Sequence, residues 1–395
     1  MKVLIINHFP IAGSGSGTYT RNIAVHLVKK GHEVCVIMPE NTTQYNNIPG
    51  VLMYPVFFAY DESIKDALPF NFPCFTTHPR STTSFFDLTD EQIEAYLSAF
   101  DKAIDKVIAV FKPDVIHAQH IWLLSWLVKK TSIPYVVTAH GTDLMGYQKS
   151  GRFRNYAHEA AIGAKRIITI SNDNDELVHQ LFPDCADKTI FMRNGYDPER
   201  FFPEALTQDQ FLDRLGIMPL KRLVLFTGKL TYFKGVDVLL DSARLYEGER
   251  PGEIVTILAG DGELLRQLKK QAEDYSLKHT HFIGYLDISQ LRGLYSVADV
   301  SIVPSRREPF GLVAVEALAC GSPVVATNQG GLPDIINDKV GALVNVDDAF
   351  GLSSAILREL YRPDRRERGQ YAAKYALEKY AQASLIDSLV EVYDT

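Results

Sequence analysis

The chain has 395 residues, 46% hydrophobic and 23% charged, with 41 basic and 48 acidic side chains and a net charge of −7. That is about twice a common domain length, so two domains are expected. The acidic balance argues against general nucleic-acid binding, and no apolar run approaches the roughly 20 residues of a membrane helix. Cys35, Cys74, Cys185 and Cys320 are scattered, with no C-x-x-C pair and no histidine spacing that suggests zinc. They read as buried free thiols rather than zinc ligands, which fits a reducing cytoplasm.

The opening Met1-Lys2-Val3-Leu4-Ile5-Ile6 meets Asn7, His8 and Pro10 with no cleavage region, so it is a strand and not a leader. The alternating glycines of Gly13-Ser14-Gly15-Ser16-Gly17 follow, then a helix over 18–30 and a strand over 33–38. Strand, glycine loop, helix and strand make the first unit of a doubly wound domain. The loop lacks dinucleotide G-x-G-x-x-G spacing. Close approach of a phosphate through Gly15 and Gly17 stands beside a plain flexible turn as its reading.

Residues 41–90 break this rhythm with Tyr54, Phe57, Phe58, Tyr60, Phe70, Phe72, Phe75, Phe85 and Phe86, around Thr76-Thr77-His78-Pro79-Arg80. A long irregular insertion of this kind suggests either an aromatic acceptor pocket or a satellite core. A helix near 90–111 leads to strands at 115–117 and 135–139, which end in Ala118-Gln119-His120 and His140-Gly141-Thr142-Asp143. Parallel strands would bring these polar ends together, for hydrogen bonds to hydroxyls more than for a metal, since fixed ligand spacing is missing. A strand at 165–171 and a short one near 191 close the first half.

The second half repeats the pattern. A strand at 222–226 runs into Thr227-Gly228-Lys229, and Lys234-Gly235 opens a helix, so two lysines beside a glycine turn suit a diphosphate. Strands at 254–259 and 281–284 follow, the first ending in Gly260-Asp261-Gly262 and the second in Gly284 and Tyr285. The run 300–303 then leads into Glu308-Pro309-Phe310-Gly311-Leu312 and, eight residues after Glu308, Glu316. Helical spacing from Leu312 puts Glu308 in a strand-end loop and Glu316 in the helix. The amides of Phe310, Gly311 and Leu312 can then face ligand oxygens. Strands near 323–326 and 341–346 complete a second doubly wound domain, and 364–395 reads as helices. Two such domains with polar faces suit a large polar ligand.

The glycine loop 13–17, Asn194-Gly195-Tyr196-Asp197, Thr227-Gly228-Lys229 with Lys234-Gly235, Gly260-Asp261-Gly262 and the E-x7-E pair occur in one order over nearly the whole chain. In this the chain resembles the retaining glycosyltransferases of family 4. The resemblance implies an α/β fold of two doubly wound Rossmann-like domains facing across a cleft, the GT-B architecture. Residues 1–196 would bind the acceptor, joined by a terminal helix at about 378–395, and residues 197–377 would bind the nucleotide-sugar donor. It gives Glu316 the ribose hydroxyls, and gives Glu308 with the amides of Phe310, Gly311 and Leu312 the 3- and 4-hydroxyls of the hexose. Lys234, Lys229 beside Gly228, and amides of the loop 13–17 through Gly15 and Gly17 would hold the diphosphate. Gly284 and Tyr285 would meet the base, and His140 the anomeric carbon and the sugar 6-hydroxyl. His8, His120, His140 and Asp143 form the expected acceptor side. Lys229 stands where the family usually has arginine, which keeps the charge and loses the bidentate fork.

The implied reaction is transfer of a hexosyl group with retention, by front-face substitution and without a metal or cofactor. The donor would be UDP-glucose or another UDP-hexose, with GDP-mannose as the alternative, and the acceptor any hydroxyl-bearing small molecule, glycan or lipid-linked group. A sugar-nucleotide epimerase of the same fold and a non-catalytic nucleotide-sugar binding protein are the rival readings. A basic face from Lys129, Lys130, Lys149, Arg152 and Arg154 would allow peripheral contact with the inner membrane surface.

Overall fold

The computed structural model describes residues 1–45, 47–59 and 64–394. The chain divides into two compact units, Met1–Gly195 with Leu385–Thr395, and Tyr196–Ser384. The chain therefore returns to its first unit at Leu385, inside the terminal segment expected to do so from about 378.

The first unit is built on seven parallel strands: β1 (Lys2–Ile6), β2 (Glu33–Glu40), β3 (Val51–Phe57), β4 (Val115–Gln119), β5 (Tyr135–Thr138), β6 (Arg166–Thr169) and β7 (Thr189–Phe191), in the order β3-β2-β1-β4-β5-β6-β7. Order reverses between β1 and β4, with Val3, Leu4, Ile5 and Ile6 of β1 pairing β2 on one side and β4 on the other. The loops after β1 and β4 thus lie at a topological switch point, where open α/β sheets bind ligands. Strands β1, β4 and β5 are buried along almost their whole length, as a sheet covered on both faces requires. The last helix, Gln382–Asp394, belongs to this core through Ile386, Leu389, Val392 and Tyr393. Tyr393 reaches the sheet, its hydroxyl 2.7 Å from Nδ1 of His117.

The irregular reading of 41–90 is corrected at its start, because Val51–Phe57 is a strand in parallel register with β2. Pro55 sits in it, which is allowed at the sheet edge where no inner ladder bond is lost. Of the two readings of the 41–90 aromatics, the structure favours a core, and it is the main one rather than a satellite. Phe58, Phe70, Phe72, Phe75 and Phe85 are buried in the main core cluster together with Tyr96, Phe100 and Trp122, while Tyr60 lies outside the described residues. The rings pack edge to face, for example Phe75 on Trp122 at 5.1 Å and Phe85 on Trp122 at 6.0 Å.

The second unit has six parallel strands: β8 (Arg222–Thr227), β9 (Ile254–Ala259), β10 (Thr280–Gly284), β11 (Val300–Val303), β12 (Val324–Thr327) and β13 (Gly341–Val344), in the order β10-β9-β8-β11-β12-β13. Its switch point falls between β8 and β11, the strands that carry the lysine loop and the acidic pair.

Candidate functional site

In the second unit the loops after β8 and β11 are built onto each other. The chain leaves β8 through Gly228, makes a short turn at Tyr232–Lys234, and enters the helix Val236–Glu249 at Gly235. Gly235 has φ +62°, and a Cβ there would come within 2.0 Å of the Pro304 carbonyl oxygen, so only glycine lets the two loops approach this closely. Across this contact the Lys234 ammonium donates to Glu308 Oε2 at 2.6 Å, and Ser305 Oγ donates to the same oxygen at 3.2 Å. Glu308 is buried, and its backbone oxygen accepts from the Gly331 amide at 2.9 Å. The structure therefore brings together Lys234 and Glu308, which stand 74 residues apart in the chain.

Arg306, which sequence reasoning passed over, joins the same two loops. Its guanidinium makes a two-pronged contact with Asp237, at 2.8 and 2.6 Å, reaches Asp347 at 2.7 Å and the Tyr232 carbonyl at 2.9 Å, and lies over the Tyr232 ring. Its amide donates to the Phe233 carbonyl. Paired forks of this kind fix geometry as well as charge, so Arg306 ties the Lys234 turn to the Glu308 loop. The available signal was an arginine two residues before Glu308 facing an acid in the first turn after Gly235.

Gly311 caps the helix Leu312–Ala319 with φ +107°. Phe310 is buried and its ring packs 6.2 Å from Tyr380. Glu316, in the second turn of that helix, is 9% exposed. No hydrogen bond reaches its carboxylate among the described residues, and burial raises its pKa to about 8 against the opposing pull of Arg200. A buried carboxyl without partners is costly, and hydroxyl donors from a ligand would relieve that cost. Gly228, Gly260 and Gly284 line neighbouring strand ends: the Gly228 amide donates to the Ala259 carbonyl and the Gly260 amide to Gly284. Lys229 is half-buried beside them and Tyr285 is 84% exposed.

In the first unit the loop after β1 is also tightly built. Ser14 caps the helix Gly15–Lys29, its Oγ accepting the Gly17 amide at 3.0 Å. A Cβ on Gly17 would lie 2.4 Å from the Pro10 oxygen. Gly17 is thus a packing glycine whose amide is already bonded, a difference from the phosphate contact expected of it. Gly15 has open space where its Cβ would be.

His8, His120, His140 and Asp143 do come together beyond the ends of β1, β4 and β5. The His8 and His120 rings are 5.6 Å apart, and those of His120 and His140 4.7 Å. His8 is wholly buried, with Nδ1 2.7 Å from the Tyr96 hydroxyl and Nε2 accepting the Leu124 amide. Both nitrogens are therefore engaged inside the protein. Asp143 accepts the Ile121 amide at 2.8 Å and the His140 amide at 3.1 Å, so it clamps the two strand-end loops. Burial raises its pKa to about 6 in spite of these amides. Gln119 Oε1 is 2.8 Å from His140 Nε2, so that nitrogen carries the proton. His120 holds a left-handed φ of +76°, a strain of order 1–3 kcal/mol of the kind found at ligand sites. Among the described residues, Gln119 Nε2, His120 Nδ1 and Trp122 Nε1 are buried without partners.

Asp173-Asn174-Asp175 has the D-x-D spacing of some metal-dependent transferases, which the expectation of no metal overlooked. Asp175 accepts from Thr169 Oγ1 at 2.7 Å, and among the described residues no three His, Cys, Asp or Glu side chains are grouped to hold a metal ion. No described helix is long and apolar enough to cross a membrane. The expected basic face is engaged locally: Lys129 with Glu159, Lys130 over Trp126, Lys149 over Phe86, Arg152 with Asp90 and Arg154 over Tyr147.

The model of the group 1 glycosyl transferases matches residues 208–375, and that of glycosyltransferase family 4 matches residues 13–200. A D-inositol 3-phosphate glycosyltransferase of Geodermatophilus obscurus is 30% identical over 81% of this chain and 76% of its own. Among solved structures, sucrose-phosphate synthase from Thermosynechococcus elongatus superposes with a TM-score of 0.79 at 21% identity, covering 100% of this chain and 98% of that one. HepE from Anabaena, crystallised in complex with UDP-glucose, gives 0.75 at 18% identity, covering 100% and 99%.

Proposed function

The chain belongs to the family 4-type glycosyltransferases of GT-B fold, and we propose that it is a retaining hexosyltransferase using a nucleotide-diphosphate sugar, UDP-glucose or another UDP-hexose first. The Lys234–Glu308 contact carries this reading, because it sets a cation for phosphate beside a buried carboxylate for sugar hydroxyls. A HepE structure with UDP-glucose bound supports the choice of donor class.

In this reading the Tyr196–Ser384 unit holds the donor. Glu316 accepts the two ribose hydroxyls. Glu308 and the amides after it bind the hexose, and Lys234 with Lys229 balances the charge that builds on the leaving diphosphate. Such stabilisation, set in place before reaction, commonly contributes more to the rate of group transfer than any other single effect. The new glycosidic bond forms on the face from which the diphosphate leaves, and the acceptor hydroxyl proton passes to the departing phosphate oxygen. Neither glutamate attacks the sugar. On the acceptor side, the unpartnered Gln119 Nε2 and His120 Nδ1 offer a donor and a second polar contact to a hydroxyl. Asp143 serves by holding the Ile121 and His140 amides in place.

The test is transfer from UDP-glucose to a panel of hydroxyl acceptors, followed by proton NMR. UDP should be released only with an acceptor present, the new linkage should be α, and EDTA should leave the rate unchanged. A β-linked product or loss of activity in EDTA would reject the mechanism.

A further inference from the structure

The strand ends of the Met1–Gly195 unit carry polar groups but no positive charge. Residues 7–20, 118–128 and 139–148, which follow β1, β4 and β5, contain no lysine or arginine. The next basic residues after the last two stretches are held locally, Lys129 by Glu159 at 2.9 Å and Lys149 over the Phe86 ring at 4.2 Å. Arg80 is paired with Glu40, and Arg152 with Asp90.

The histidines do not supply a charge either. His8 Nε2 accepts the Leu124 amide, so that ring carries its proton on Nδ1 and is neutral. The His120 ring lies 5.6 Å from that of His8 and 4.7 Å from that of His140, and two charged rings so close would repel in a buried site. Burial lowers the pKa of all three.

The charge that is built in is negative. Burial raises the pKa of Asp143 to about 6 against the amides of Ile121, Asp143, Leu144 and His140, so it is ionised at pH 7. Its carboxylate takes the Ile121 and His140 amides, at 2.8 and 3.1 Å. Neighbouring amides are also engaged: that of His120 by the Thr138 carbonyl, of Trp122 by Ser125 Oγ, and of Ala139 by the Ile168 carbonyl. A phosphate is held by charged donors and free amides, and here it would stand beside a carboxylate with those amides taken. What stays unpartnered among the described residues is neutral, Gln119 Nε2 and His120 Nδ1, with the Phe9 and Phe75 rings 5.3 and 5.2 Å from that of His120. Neutral polar groups beside aromatic rings suit hydroxyls and the apolar face of a sugar.

We propose that the acceptor is an uncharged sugar or polyol, with no phosphate or carboxylate on the ring that reacts. The proposal rests on the proposed function for the reaction itself and adds the class of molecule that receives the hexose.

The experiment offers matched acceptors at saturating UDP-glucose: glucose and glucose 6-phosphate, fructose and fructose 6-phosphate, myo-inositol and inositol 1-phosphate. Release of UDP gives kcat/KM for each. At least one neutral member should exceed its phosphorylated partner by about tenfold or more, the least that an unpaired charge at a buried site should cost. A second measurement needs no donor. The chain has two tryptophans, so Trp126→Phe leaves Trp122, whose ring lies 5.1 Å from Phe75. Its fluorescence should respond to a neutral member, with no response to the phosphorylated partner and no competition from inorganic phosphate. A phosphorylated member used as well as its neutral partner, or phosphate displacing the neutral one, would overturn the proposal. If no acceptor of either kind releases UDP, the proposed function fails instead and fluorescence decides the acceptor class. In that case a response to phosphorylated members, or silence from every neutral one, would overturn it.

Discussion

Replacing Glu316 by glutamine should stabilise the protein at pH 8 while weakening the nucleotide-sugar donor at least ~100-fold, given that bonds to a charged group are worth about 1.5–3 kcal/mol each. The two effects have one cause. Glu316 is buried with its pKa raised to about 8, from an ordinary value of 4.5. A carboxyl whose folded pKa is raised favours the folded state fully below about 4.5, and that contribution is lost as pH climbs through 8. Ionised Glu316 therefore costs the ligand-free protein on the order of a few kcal/mol at pH 8, at about 1.4 kcal/mol per pKa unit. Glutamine removes this dependence, so the gain in midpoint should grow from pH 5 to pH 8. Donor hydroxyls would donate to the ionised carboxyl, so donor binding near pH 7 should release a proton. Calorimetric titrations in buffers of different ionisation enthalpy measure that release. Equal midpoints for wild type and Glu316→Gln at pH 8 would contradict the account of this residue.

The Met1–Gly195 unit should respond to acid in the opposite sense. His8, His117 and His140 are buried as neutral rings, with pKa values lowered by burial to about 3, and His120 is likewise lowered by burial and by the neighbouring His140 and His8. The unfolded chain takes up these protons below about 6.5 and the folded unit does not, so stability falls as pH falls from 6.5 toward 3. At pH 5 each ring costs about 2 kcal/mol, on the same scale of about 1.4 kcal/mol per unit. Asp143, with its pKa raised to about 6, works the other way and offsets a smaller part. The net loss is a large share of the 5–15 kcal/mol that holds a typical domain. Both tryptophans, Trp122 and Trp126, lie in this unit, so tryptophan fluorescence follows it alone. Its melting midpoint should drop well below the neutral value by pH 5. A midpoint independent of pH between 7.5 and 5 would show that these histidines are not buried as neutral rings.

Much of the architecture was legible because buried parallel strands are continuous apolar runs. The strand Ile254–Ala259 coincides with its expected bounds, and most others differ by a few residues at their ends. Val51–Phe57 was missed since Pro55 argues against a strand, and only pairing at the sheet edge makes it tolerable. In the second unit the motif residues pointed to the ends of β8 and β11, but the Lys234–Glu308 contact and the Arg306 fork arise from loops distant in sequence. No local pattern encodes such pairings. Gly17 misled for a related reason: glycine in a loop signals close approach, and here the approaching group is the Pro10 carbonyl. His78 was visible only as part of an unexplained motif, because what its ring touches depends on where the Arg80–Glu40 pair holds its turn.

The central claim, a nucleotide-sugar site built on Lys234, Glu308 and Glu316, is tested most directly by thermal unfolding against UDP-, GDP- and ADP-sugars, in EDTA, with Glu308→Gln alongside wild type. A ligand that binds only the folded state raises the midpoint. One nucleotide sugar, UDP-glucose or another UDP-hexose, should raise the wild-type midpoint in EDTA, with most of that shift lost in Glu308→Gln. No shift with any donor, or an equal shift in both proteins, would contradict the site.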